Sequence, residues 1–330
     1  MEKKRNKSTS SEFSQASETS DDNLEQSYIS KHENDMTQLQ EDIIYSIESV
    51  NCSFFIDLGG CSSIDLDFEV NKNGDFPLGL ACAKSTLEIA KLILDSPTVN
   101  RHRVDNKGAN CFWLACEGGK SAILPVLVEK NINYLIVASD GRNGLHAAVQ
   151  NNHKNVVEYL IQMKYPLNIR IKDSVTALSL ASQLGHIEIV KLLIEAGANP
   201  NKLSNKGMGA LYLAIENENT KIAKYLLKNK SKMVLSSKYR DMSPLFLVIQ
   251  TQNVEMLQKF KKHNVDLSAK NSQGQNPLQY AAVKEHTLIM NYLIKRMPNL
   301  DQEDDQGFTI FSRYILMENM EICENLLNSG

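Results

Sequence analysis

The sequence predicts an all-α protein built as a solenoid of stacked helical hairpins. A motif of about 33 residues recurs eight times between residues 71 and 330, and its apolar positions keep one phase throughout. Each copy contains two short amphipathic patterns separated by a turn. One such hairpin cannot cover its own apolar faces, so neighbouring copies must stack on one another.

Residues 1–35 differ in composition from the rest of the chain. They contain ten Ser/Thr, five Lys/Arg and eight Asp/Glu residues, and few large apolar ones. Such a segment buries too little surface to offset its ordering entropy, so we predict that it is disordered. Because the tail carries the whole formal net charge of −3, the remaining chain is electrically balanced.

Residues 36–70 are predicted to form a degenerate capping unit in front of the repeats. The stretch LQEDIIYSIESV has the pattern of one helix, and CSFFIDL that of a shorter second helix.

A recurring position, here called the marker, sets the register of the repeats. Counted from it, apolar or small residues recur four, seven, fifteen and nineteen positions later in all eight copies. The markers are Gly74, Gly108, Gly141, Ser174, Gly207, Asp241, Gly274 and Gly307. The repeats lie near 71–104, 105–137, 138–170, 171–203, 204–237, 238–270, 271–303 and 304–330.

The fourth copy shows how one repeat specifies its local structure. Thr176 is suited to cap a first helix, and Gly185 interrupts that helix. Residues 187–194 then follow the spacing of a second amphipathic helix, which Gly197 stops. The segment AGANPN leads into an extended, turn-rich link.

Other copies vary these signals. Ser243 and Asn276, each followed by proline, are predicted N-caps, whereas Phe76 and Gly209 replace the usual capping hydroxyl. Pro125 lies near the start of a second helix and is tolerated only within its first turn.

These residues resemble the ankyrin repeat. The segment TALSLASQLGHIEIVKLLIEAGANPN matches that pattern almost throughout, and NGLHAAVQNNHKNVVEYLI and NPLQYAAVKEHTLIMNYLI are recognisable variants. The resemblance covers residues 71–330 and implies an ankyrin-repeat solenoid of helix-turn-helix units joined by hairpin-like links. It further implies binding of other proteins through the hairpin tips and inner helices.

The cysteines and histidines are predicted to be structural. Cys82, Cys116 and Cys323 fall in columns of small apolar residues, and no CxxC pattern points to a metal site or a disulfide framework. We expect reduced thiols in a cytoplasmic protein, with the nucleus as the alternative. The histidines at the predicted bends are His153, His186 and His286, and His146 occupies the family position of a structural hydrogen bond.

The sequence contains no pattern that predicts catalysis. A Gly-rich phosphate loop, GxSxG and HExxH are all absent, so we expect no enzyme, no cofactor and no metal. The balanced charge argues against a nucleic-acid partner, and no apolar stretch is long enough to insert into a membrane. Within the tail, RNKS at 5–8 and TSDD at 19–22 fit kinase recognition patterns, so a kinase is an expected partner.

The predicted function is that of a non-catalytic scaffold or adaptor that binds a protein or peptide. The alternative is a targeting or regulatory arm of a larger enzyme, channel or ubiquitin-ligase component. The partner site is predicted on the concave face, where a column one residue after the marker and a polar row nine residues after it come together. Its residues are Arg142, Gln150, Val175, Gln183, Met208, Glu216, Tyr239, Arg240, Met242 and Gln250.

Overall fold

The computed structural model describes residues 37–57, 65–170, 175–229, 231, 243–261, 266–297, 300–316, 318 and 320–327. The tail at 1–35, predicted to be disordered, lies outside these ranges. Within them the regular structure is helical, and the only extended pairing consists of isolated antiparallel bridges in three of the links. The predicted all-α class with hairpin-like links is confirmed.

Each repeat contributes one helix pair, and two further helices precede the repeats. The preceding helices are α1 (37–48) and α2 (Cys52–Asp57). The first helices of the repeats are α3 (Pro77–Lys84), α5 (Cys111–Glu117), α7 (Gly144–Gln150), α9 (Ala177–Leu184), α11 (Ala210–Glu216), α13 (Pro244–Gln250), α15 (Pro277–Val283) and α17 (Ile310–Leu316). The second helices are α4 (Leu87–Leu94), α6 (Leu124–Glu129), α8 (Lys154–Gln162), α10 (Ile187–Glu195), α12 (Thr220–Lys228), α14 (Val254–Lys261), α16 (Thr287–Ile294) and α18 (Met320–Leu327).

Neighbouring first helices contact one another from α3 to α17, and α2 packs against α4. The core is therefore a continuous ribbon that runs through the stack. Its tightest column lies seven residues after the marker, where every side chain is at most 1% exposed. This column is Ala81, Ala115, Ala148, Ala181, Ala214, Val248, Ala281 and Tyr314.

The ends of the helices follow the predicted signals with one exception. The Thr176 hydroxyl accepts a bond from the Ser179 amide at 3.2 Å, and Asn276 forms a reciprocal capping box with Gln279. Pro125 falls in the first turn of α6, the part of a helix in which a proline is tolerated. Ser243 occupies the N-cap of α13, yet its side chain does not accept the capping bond.

The turn between the two helices needs a left-handed residue in seven of the eight repeats. At the position eleven residues after the marker φ lies between 53° and 84°, a region that favours glycine. These residues are Gly119, Asn152, Gly185, Glu218, Gln252, Glu285 and Glu318. In repeat 1 the equivalent Ser85 is extended, with φ −90° and ψ −169°.

The first helices of repeats 1 and 2 approach each other closely at Gly118, a position that holds a larger residue in the other repeats. A Cβ atom at Gly118 would lie 2.0 Å from the backbone oxygen of Ala83. Since no side chain fits between them, the glycine is required for this approach.

The cysteines behave as core residues, as predicted. Cys82, Cys116 and Cys323 are all buried, and burial raises the pKa of the Cys116 thiol well above its ordinary value. The Cys116 thiol is consequently protonated, and all three side chains serve as small apolar groups of the core.

Candidate functional site

A row of exposed polar side chains runs along consecutive first helices. Gln150, Gln183, Glu216 and Gln250 lie at or next to the C-terminal ends of α7, α9, α11 and α13, and each is exposed. Because these four helices contact one another in order, the structure brings the predicted polar row together.

The column one residue after the marker is less uniform than the sequence suggested. Val175 and Met208 are half-buried, and Val175 packs against the core. The Ser204 amide donates to the Met208 carbonyl at 2.9 Å, and the Ser204 hydroxyl accepts from the Met208 amide at 3.1 Å. Ala109 and Gln275 in the same column are buried. The column therefore contributes partly covered side chains, not a continuous exposed strip.

Three of the predicted site residues, Tyr239, Arg240 and Met242, lie outside the described residues. They fall between the end of α12 and the start of α13. Their part in the site stays a prediction from the sequence.

Arg142 is fixed in place at its hairpin. Its guanidinium pairs with Asp140 at 2.5 Å and lies 5.8 Å from the ring centre of Trp113, whose indole N–H donates to the Arg142 carbonyl at 3.0 Å. Burial alone would raise the pKa of Asp140, but the hydrogen bonds and charge of Arg142 outweigh it and lower that pKa. These contacts hold the half-buried guanidinium group of Arg142 in one orientation at the hairpin of repeat 3.

His146 lies beneath this cluster and has the structural role predicted for it. It is 1% exposed, and its Nδ1 atom is 2.6 Å from the side-chain oxygen of the N-cap Asn143. Burial lowers the pKa of His146 to about 4, so the ring is neutral at pH 7.

The residues at the helical bends link neighbouring repeats. His153 Nε2 is 2.8 Å from the Glu117 carbonyl, and His286 Nδ1 is 2.8 Å from the Ile249 carbonyl. The same position in repeat 5 holds Asn219, whose amide donates to two carbonyls of repeat 4. We call such a contact the junction bond, and it gives His153 and His286 a structural role.

Two exposed apolar residues in the hairpin links were not identified from the sequence. Val104 and Val137, four residues before their markers, are 43% and 47% exposed, and each forms an antiparallel bridge across its hairpin. Val137 pairs with Asn143, next to Arg142. They occupy one column of the repeat register, but the register does not show whether an apolar residue in an extended link is covered.

The described residues give no sign of a metal centre or of a membrane span. Within those ranges no group of three or more His, Cys, Asp or Glu side chains could hold a metal ion. Among the helices described, none is long and apolar enough to cross a membrane.

Comparison with known protein families identifies the repeats. Residues 98–173, 145–236 and 245–330 each match the family model described as ankyrin repeats (3 copies), and together they span more than half of the chain. No curated protein sequence matches the chain.

Proposed function

We propose, because the chain belongs to the ankyrin repeat family, that it is a non-catalytic scaffold or adaptor that binds a protein partner. Ankyrin repeats are generally protein–protein interaction modules. The finer proposal concerns where the partner binds and through which side chains.

The observation that carries this proposal is the separation of the repeat into buried and exposed columns. The column seven residues after the marker is buried throughout, whereas Gln150, Gln183, Glu216 and Gln250 form an exposed row above it. Side chains in that row can change without disturbing the stack, which is the property that an adaptable binding face needs.

The neighbouring hairpins offer a chemistry that suits a protein surface. Val104 and Val137 supply exposed apolar area, and Arg142 supplies a cation held in one orientation. Arginine is enriched at energetically important interface positions, and exposed apolar area next to it favours contact with a protein. Met208 extends the proposed face toward the C-terminal repeats, and the repeat register predicts the same for Met242.

The free thiols support a location in the cytoplasm or the nucleus, where cysteines stay reduced. We extend the proposal to regulation by a kinase acting on the N-terminal tail, on the strength of its two sequence patterns.

The test is a comparison of the proteins captured by wild-type and variant chains. A double Met208→Glu and Met242→Glu variant places two carboxylates on the proposed face. We expect at least one partner recovered with the wild type to be lost, because desolvating an unpaired carboxylate at an interface is costly.

The matched control carries the same change on second helices. Leu288→Glu with Met320→Glu converts two apolar residues that are 70% and 67% exposed. This control should retain every partner. Equal capture by the concave-face variant and the wild type, with unchanged circular dichroism, would exclude this face as the binding site.

A further inference from the structure

A groove opens between repeats 1 and 2 at the end of the helix pairs opposite to the hairpins. Its volume is about 380 Å³, and it is lined by residues 85–88, residues 119–123 and an apolar floor that includes Ala81 and Ala90. The groove lies outside the proposed protein-binding face.

The groove exists because α6 begins late. Every other second helix begins thirteen residues after its marker, whereas α6 begins at Leu124, sixteen residues after Gly108. Pro125 lies in its first turn, and residues 121–123 form turns where the other repeats have helix. The space that the missing helical turn would fill remains open.

Two hydroxyl groups on the repeat 1 side of this groove have no partner in the described part of the chain. Ser85 is 3% exposed, and its Oγ atom is buried without a hydrogen bond. The Thr86 Oγ1 atom next to it is also buried without a bond. Because an unsatisfied buried hydroxyl costs free energy, both groups favour a ligand that accepts hydrogen bonds.

The adjoining N-terminus of α4 adds amide donors directed along the helix axis. In repeats 3 to 7 the first amide of the second helix donates to the carbonyl two residues earlier, as Ile187 does to Gly185. Leu87 lacks this bond among the described residues, because Ser85 is extended there, and the Thr86 side chain does not cap the helix. The amides of the first turn and the helix dipole therefore face the groove with positive polarity.

Two charged side chains also line the groove. Lys120 is half-buried and takes part in no ion pair with any described residue, while Glu88 is exposed at the second position of α4. Lys120 occupies the position at which His153, Asn219 and His286 form junction bonds. It therefore brings an ammonium group to a place where those repeats have an imidazole or an amide.

We propose that this groove binds a phosphate group. Two hydroxyls, the first-turn amides of α4 and one ammonium group supply at least five donors. That number suits the three terminal oxygens of a phosphate monoester better than the two oxygens of a carboxylate. The volume of the groove leaves room for the group that carries the phosphate, either free in solution or on a phosphorylated side chain.

The test is a titration of the ¹⁵N-labelled full chain with inorganic phosphate, followed by amide chemical shifts. We expect saturable shifts of the Leu87 and Glu88 amides. Lys120→Gln should weaken phosphate binding about tenfold, and Ser85→Ala about fivefold. Glu88→Gln should strengthen it about threefold, because a repelling charge is removed from an exposed position.

Lys221→Gln is the control, since it removes one positive charge from an exposed lysine at the second position of α12 in repeat 5, far from the groove. It should leave phosphate binding unchanged. A phosphoserine peptide that binds more tightly than inorganic phosphate would indicate a phosphorylated partner, and equal affinity would indicate a free phosphate compound.

Three results would overturn the proposal: no saturable shift at millimolar phosphate, equal loss in Lys120→Gln and Lys221→Gln, or acetate binding as tightly as phosphate. Because no protein partner is added, failure here is distinguishable from failure of the proposed scaffold function.

Discussion

Two junctions between neighbouring repeats have the same apolar register but differ in the hydrogen bonds that join the repeats. Between repeats 4 and 5, the Asn219 amide donates to the Ser182 and Gln183 carbonyls at 2.9 and 3.0 Å. Between repeats 1 and 2, Gly118 brings the first helices together, yet no junction bond forms and the groove remains.

The difference shows that different residues determine the core packing and the junction bond between two repeats. Both junctions bury the same small-residue column, so their core contacts follow from the apolar register. The junction bond depends on one residue, twelve positions after the marker, and on a left-handed residue before it. A repeat can therefore lose the bond and still stack.

The largest expected effect lies in the core of the closed junction. Ala181 is fully buried, so Ala181→Asp places an unpaired carboxylate in an apolar column and should cost about 4 kcal/mol of unfolding free energy. Urea denaturation measures this loss. Gln183→Asp, on the exposed side of the same helix, should cost less than about 0.5 kcal/mol. Similar losses in the two variants would contradict the assigned register.

At the junction of repeats 1 and 2, we expect substitution of Gly118 to cause the largest loss of stability. Gly118→Ala forces a Cβ atom against the Ala83 backbone oxygen and should cost about 3 kcal/mol. Gly197→Ala is the control, because its Cβ atom would meet nothing within 4 Å and only its φ of +90° resists the change. That strain is worth about 1 kcal/mol. A smaller loss at Gly118 than at Gly197 would show that the two helices can separate.

Acid should weaken the junction of repeats 3 and 4 through His146. Its pKa is about 4 in the folded chain and near 6.5 when unfolded, so its contribution is complete above pH 6.5 and is lost as the pH falls toward 4. We expect a loss of about 2 kcal/mol between pH 7 and 4.5, measured by denaturation at each pH. His146→Gln should remove that part of the pH dependence, and an unchanged slope would contradict the assignment. The equivalent position in repeat 1 is Gly79, which has no titratable group, so this pH dependence is absent there.

The smallest of these effects tests the junction bond itself. Asn219→Ala removes two hydrogen bonds between repeats and should cost about 1.5 kcal/mol. Asn217→Ala removes one bond within a repeat, from an exposed amide to the Leu213 carbonyl, and should cost about 0.5 kcal/mol. Equal thermal midpoints for the two variants would show that the junction bond does not couple the repeats.

The fold was predictable because its signal is repeated. Apolar residues in four columns keep their phase through eight copies, and each such column must face a neighbour. Local signals such as Thr176, Gly185 and Pro125 then placed helix ends to within a residue or two. Ser243 shows the limit, since a residue suited to capping takes the N-cap position without making the capping bond.

The candidate site was predictable only where exposure follows from the register. The polar row from Gln150 to Gln250 is exposed because its column faces away from the core. Val104 and Val137 were missed because an apolar residue in an extended link has the same pattern whether it is covered or not. The groove was missed because it depends on Pro125 in one repeat and Ser85 in the preceding one, and packing between repeats decides whether the space is filled.

The left-handed turn position offers a route to engineered stability. Glu218, Gln252, Glu285 and Glu318 adopt φ values of 53° to 57°, where a side chain with a Cβ atom costs about 1 kcal/mol relative to glycine. Part of that cost is offset because glycine gains more freedom in the unfolded chain. Since these turns lie a full repeat apart, substitutions with glycine should act independently and their gains should add. Glycine at the turns that now carry glutamate or glutamine should thus raise the free energy of unfolding of the stack. These substitutions would change neither the proposed binding face nor the groove.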